Sequence, residues 1–200
     1  MKTVVRNVII YILSLALICV VVIGYVTHLE NPVLKDDAEI ERKWIIDKND
    51  IPFDFSEAEK YDIVQTYISF SPEIRLRKIN EDIYVLTTKY DTRQEGLVRT
   101  EHEYRITKEE YEKLLNKKEA NTIYKRRYAF KESGLGLEID IFDAGLEGLA
   151  YLEIEFENEK KANEYIPPDW VIKEVTGDEE YKNGSLARYG IPKSYYEYVK

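Results

Sequence analysis

Cysteine is almost missing from this chain: Cys19 is the only one, and it lies inside an apolar run. The rest of the polypeptide therefore has no disulfide framework and no cysteine-ligated zinc site. An excess of positive charge is missing too, since the formal net charge is −9. So acidic a chain is a poor candidate for general nucleic-acid binding through a basic surface. Its 17 tyrosines form no group that would stack bases. Any anion it binds has to be met by positive charge gathered locally. Internal repeats and low-complexity tracts are absent as well.

A long hydrophobic run occurs at the front. Val8 to Val26 carries no charge and is long enough to cross a bilayer core as a helix. Lys2 and Arg6 precede it, as in a signal peptide. The run exceeds a typical signal core, however, and no small-x-small cleavage site closes it. An uncleaved single-pass membrane anchor is expected over residues 1–30, with residues 31–200 as one further domain. Positive charges before the span favour an outward-facing domain.

Past a polar linker at Glu30 to Asp37, alternation and β-branched or aromatic content predict strands. They cover Ala38–Ile46, Tyr61–Phe70, Glu73–Ile79, Ile83–Tyr90, Leu97–Ile106, Thr122–Lys131, Leu137–Phe142 and Leu149–Glu157. Thr107 followed by Glu110 reads as a capping box opening a helix to about Lys118. Short helical pieces are expected after Asn158 and Asp178 and at Tyr195–Val199.

The stretch Glu39-Ile40-Glu41-Arg42-Lys43 organises the rest. On a strand, Glu39, Glu41 and Lys43 share one face while Ile40, Trp44 and Ile46 take the other. Two carboxylates so spaced can grip a hard divalent cation. A lone row of this kind usually marks a half-solvated strand, but here the pattern recurs. Acidic rows stand at Glu101/Glu103, Glu138/Asp140 and Glu153/Glu155, and basic groups at Arg75/Arg77, Lys89 and Lys125/Arg127. The alternate positions are largely apolar. Eight strands can close around side chains or one small ligand, and arginine forks with a bridging metal suit a polyphosphate.

The ordered set of motifs resembles the CYTH domains, or triphosphate tunnel metalloenzymes. It runs from EIERK (39–43) through IVQTYIS (63–69), IRLRK (74–78), LTTK (86–89), EHEYRI (101–106), KRRY (125–128), LEIDIF (137–142) and LEGLAYLEIEF (146–156) to PDWVIKEVTGDEEYKNGSLA (168–187). The resemblance implies an α+β fold: an eight-stranded antiparallel β-barrel, or tunnel, with a few flanking helices. It implies metal ligation by Glu39, Glu41, Glu153 and Glu155 with Asp140 nearby. Phosphate contacts would come from Lys43, Arg75, Arg77, Lys89, Lys125 and Arg127, with Lys173 near the mouth. Lys43 and Tyr67 are the implied catalytic pair, Tyr67 hydrogen-bonding Lys43. Arg105 departs from the family, standing where other members often carry an acid.

The expected function is hydrolysis of inorganic triphosphate, with nucleoside triphosphates as further substrates and Mg²⁺ or Mn²⁺ as cofactor. An adenylyl cyclase and a non-catalytic, membrane-tethered polyphosphate binder are the alternatives. Expected partners are the triphosphate and the membrane through the N-terminal helix, with a homodimer left open and nucleic acid excluded. The family's usual substrates place the domain in the cytoplasm, against the charge count.

Overall fold

The computed structural model describes residues 33–93, 98–132 and 134–199. Its strands are β1 (Val33–Ile46), β2 (Glu59–Phe70), β3 (Glu73–Ile79), β4 (Ile83–Arg93), β5 (Val98–Ile106), β6 (Ile123–Glu132), β7 (Leu135–Asp143), β8 (Ala150–Glu155) and β9 (Val171–Glu174). Helices α1 (Lys108–Leu115), α2 (Glu159–Glu164), α3 (Asn183–Tyr189) and α4 (Tyr195–Tyr198) are short. The Thr107–Glu110 capping box closes in both directions: the Glu110 amide donates to Thr107 Oγ1 (3.2 Å) and the Thr107 amide to Glu110 Oε2 (2.8 Å). Two orphan amides are thereby satisfied where α1 begins.

All described pairings are antiparallel, in the order β5-β4-β3-β2-β6-β7-β8-β1-β9, with an additional pairing of β1 to β5. This corrects the expected eight-stranded barrel. Full closure would flank β1 along its whole length, but the strand is shared lengthwise instead. Val33 to Ile40 lie against β5, Glu41 to Ile45 against β8, and Trp44 to Ile46 against β9. The result is a nine-stranded sheet curled back on itself at that seam, not an evenly closed eight-stranded barrel.

The membrane expectation is corrected as well. Val8 to Val26 lie outside the described residues, and no described helix is long and apolar enough to cross a membrane. The transmembrane helix, the single-pass location and the membrane as a partner thus find no support in the structure.

Because side chains alternate, the curled sheet has an apolar outer face and a mixed inner one. Outside, Trp44, Ile46, Leu137, Ile139, Leu152 and Ile154 pack with Phe156 and Ala162, while Leu76, Tyr84 and Tyr111 form a smaller cluster beneath α1. The inner face changes character along the strands. At one end Ile45, Tyr67, Ile123, Phe142 and Tyr151 close the interior with Leu149, Val175, Tyr181 and Leu186. Two residues further along the same rows stand Lys43, Gln65, Lys125, Asp140 and Glu153. Apolar side chains plug one end, and charge fills the other.

Candidate active site

Register explains why these charges meet. Lys43 of β1 lies opposite Glu153 of β8, and Glu41 opposite Glu155. Arg127 of β6 lies opposite Asp140 of β7, which in turn carries Glu138 opposite Glu153. On the far wall, Lys89 and Thr87 of β4 face Glu101 and Glu103 of β5. Facing residues in an antiparallel pair project from the same side, so each row lands on the inner face.

On the first wall the Lys43 ammonium lies 2.8 Å from Glu153 Oε1 and 3.6 Å from Glu41 Oε1. Arg127 donates to both oxygens of Asp140 at 2.7 Å and also bonds Glu138 and Glu153. Lys125 bonds Asp140, which is wholly buried. On the second wall Arg75 and Lys89 each stand 2.5 Å from Glu101, while Arg77 pairs with Glu103. Buried charges are tolerable only when paired in this way.

The environment fixes protonation. Burial opposes charge on Lys43, but the Glu153 and Glu41 carboxylates outweigh it and raise its pKa. Lys43 is therefore an ammonium near neutral pH and cannot serve as a base. Burial would raise the Glu153 pKa, yet Lys43, Lys125 and Arg127 together hold it well below the usual carboxylate range. At Lys125 burial wins over Asp140, and the pKa falls below the ordinary lysine value. Burial, reinforced by Glu73, keeps the Tyr67 phenol protonated.

The cavity between the walls has a volume of about 80 Å³, room for only a few waters. Of the residues expected at the site, Glu41, Lys43, Tyr67, Arg75, Arg77, Lys89, Lys125, Arg127 and Glu153 line it. Asp140 lies behind the lining, committed to Lys125 and Arg127. Glu155 is exposed beyond it. Lys173 sits exposed on β9 opposite Ile45 and does not reach the cavity. Glu39 pairs with Arg99 in the ladder, and its side chain lies outside those described. Tyr67 Oη accepts from Gln65 Nε2 at 2.8 Å, and this differs from the expected bond to Lys43.

Gln65, Glu73, Lys182 and Asn183 also line the cavity without having been singled out. Gln65 was findable, being two residues from Tyr67 in the same row. Lys182 and Asn183 arrive where α3 begins, as its N-cap and first residue, and no periodicity marks them.

Among the described residues no group of three or more Asp, Glu, His or Cys is placed to hold a metal as it stands. Glu41 and Glu153 nonetheless converge on one positive charge, the Lys43 ammonium, and offer only carboxylate oxygens. That donor chemistry fits a hard divalent cation in kind.

No family model matches the chain. It is 35% identical over 153 residues to a Nitrosomonas europaea protein named inorganic triphosphatase, covering 74% of this chain and 96% of that one. A protein of the same name from Acetivibrio thermocellus is 34% identical over 153 residues, covering 75% of this chain and 93% of its own. A crystal structure described as the inorganic triphosphatase NE1496 superimposes with a TM-score of 0.55 at 33% identity, covering 74% of this chain and 93% of that one.

Proposed function

We propose a function from one premise: this chain belongs to the CYTH, or triphosphate tunnel metalloenzyme, family. It is a metal-dependent hydrolase of inorganic triphosphate. The observation that carries this reading is the set of seven cations, Lys43, Arg75, Arg77, Lys89, Lys125, Arg127 and Lys182, converging on one small cavity in a chain of net charge −9. Local positive charge of that density suits a highly charged, slender anion.

In the ligand-free arrangement the acids neutralise these cations and the cavity is small. A triphosphate takes the place of those carboxylates: Arg75 and Arg77 turn from Glu101 and Glu103 to phosphate oxygens, which their forks match. Lys43, held as an ammonium, stabilises charge developing on a phosphoryl oxygen in the transition state. Tyr67, kept a phenol by burial and by Glu73, offers a hydrogen-bond donor beside Arg75. Glu41 and Glu153 are the side chains that would hold Mg²⁺ or Mn²⁺. Such an ion, when bound, supplies charge neutralisation and acidifies water.

The test is product analysis with the full chain. Linear tripolyphosphate with Mg²⁺ or Mn²⁺ should give orthophosphate and pyrophosphate, and chelation of the metal should stop it. Glu41→Gln should lower turnover by at least about a hundredfold while the fold persists, since a charged ligand is lost. Cyclic nucleotide from ATP with no cleavage of tripolyphosphate would overturn the reading, as would binding without turnover.

A further inference from the structure

A second cavity of about 390 Å³ adjoins the site and shares Glu73, Lys89, Lys182 and Gly184 with it. The shared residues form a dividing wall. A Cβ built on Gly184 would lie 3.5 Å from Glu73 Oε2 and 3.5 Å from the Phe70 ring, so this part of the wall is in van der Waals contact. On the outer side Arg188 lies over the Phe70 ring, 3.5 Å from its centre.

Glu73 is the odd charge in that wall. It stands opposite Lys89 in the β3–β4 ladder, yet the Lys89 ammonium reaches Glu101 at 2.5 Å. Lys182, the other shared cation, pairs with Glu179. Among the described residues no ion pair neutralises Glu73, whereas Glu41, Glu101 and Glu153 all have cationic partners. An acid that contributes no visible pairing costs affinity for any anion passing it.

We propose that Glu73 is a specificity-determining residue, a charge filter set in the wall at the end of the triphosphate site. The inference rests on the triphosphate reading and names its limit. Once three phosphates have displaced the carboxylates from the cations of the inner cavity, a fourth, entering the outer cavity, passes Glu73 and is repelled. Glu73 thus selects against linear polyphosphates longer than three units. A neutral substituent on the terminal phosphate meets no such repulsion.

The experiment compares dissociation constants of linear tripolyphosphate and linear tetraphosphate by calorimetry, metal-free, for the full chain and Glu73→Gln. Glutamine keeps the shape and removes the charge. The tetraphosphate-to-triphosphate affinity ratio should rise about tenfold in the variant, given one charge pair partly screened across the wall. An unchanged or lower ratio overturns the filter, including a case where only the melting temperature moves. Binding of neither anion by the parent overturns it together with the triphosphate reading. If the parent binds both anions but cleaves neither, hydrolysis fails while a raised ratio still supports the filter.

Discussion

Ile45 and Lys43 stand two residues apart on one face of one strand, yet they belong to regions with opposite physical character. Around Ile45 the inner face is a core: Tyr151, Leu149 and Ile45 are fully excluded from solvent and hold the C-terminal turns against the sheet. Around Lys43 it is a site, where carboxylates and cations are buried at a cost and balance one another. The apolar end secures the geometry, and the charged end uses it. Fixed backbone positions keep the acids close enough to hold Lys43 protonated and Glu153 ionised.

The sharpest way to separate the two regions is to damage the plug. Leu149→Ala should cost about 2–5 kcal/mol of stability, the usual range for emptying a packed core position. Triphosphate affinity of the remaining folded protein should be nearly unchanged. Denaturant titration alongside calorimetry checks both halves, and equal damage to affinity would merge the two regions into one.

A smaller effect should come from the charged end. Glu153→Gln should cost about 1.5–3 kcal/mol near neutral pH, the scale of hydrogen bonds to charged groups. The folded Glu153 pKa is depressed, so its contribution is present above the unfolded value of about 4.3 and is lost as pH falls through the folded value. The Lys43 contribution, with a raised pKa, is present below its unfolded value and disappears only in strong base. The stability gap between parent and variant should therefore narrow as pH drops below about 5. Melting curves from pH 7 to 3 that keep a constant gap would contradict the pairing.

The smallest change lies at the border. Tyr67→Phe keeps the ring in the plug and removes only the hydroxyl that accepts from Gln65. A loss of about 0.5–1.5 kcal/mol is expected. Turnover should fall as well, because the same hydroxyl faces the cavity as a donor; unchanged turnover would confine Tyr67 to the plug.

Much of this was legible in the sequence. Strand alternation located β2 to β8 within a few residues, and the Thr107 capping box placed α1. Rows spaced by two named eight of the cavity's side chains, and the family resemblance added Tyr67. What alternation cannot convey is depth along a row. Glu153 and Glu155 look alike in sequence, but only Glu153 lies far enough in to meet Lys43 and Arg127; Glu155 reaches solvent. The front of β1 read as a linker because Pro32, Asp36 and Asp37 disfavour a strand locally. Pairing with β5, some sixty residues away, overrides that preference. The four residues of β9 are too few to show a period, and no local signal says that β1 divides its length among three neighbours.

That division of β1 sets an order of events during synthesis. The strand bearing Glu41 and Lys43 leaves the ribosome before any of its partners, Val98–Tyr104, Tyr151–Glu155 and Val171–Glu174, has been made. Every contact that fixes it is long-range, the class of contact that slows assembly most. β2, β3 and β4 can pair with one another as they emerge, while β1 waits. The first-made piece of the site is thus the last to be fastened, and a chain halted before Ala150 holds a lysine whose glutamate does not yet exist.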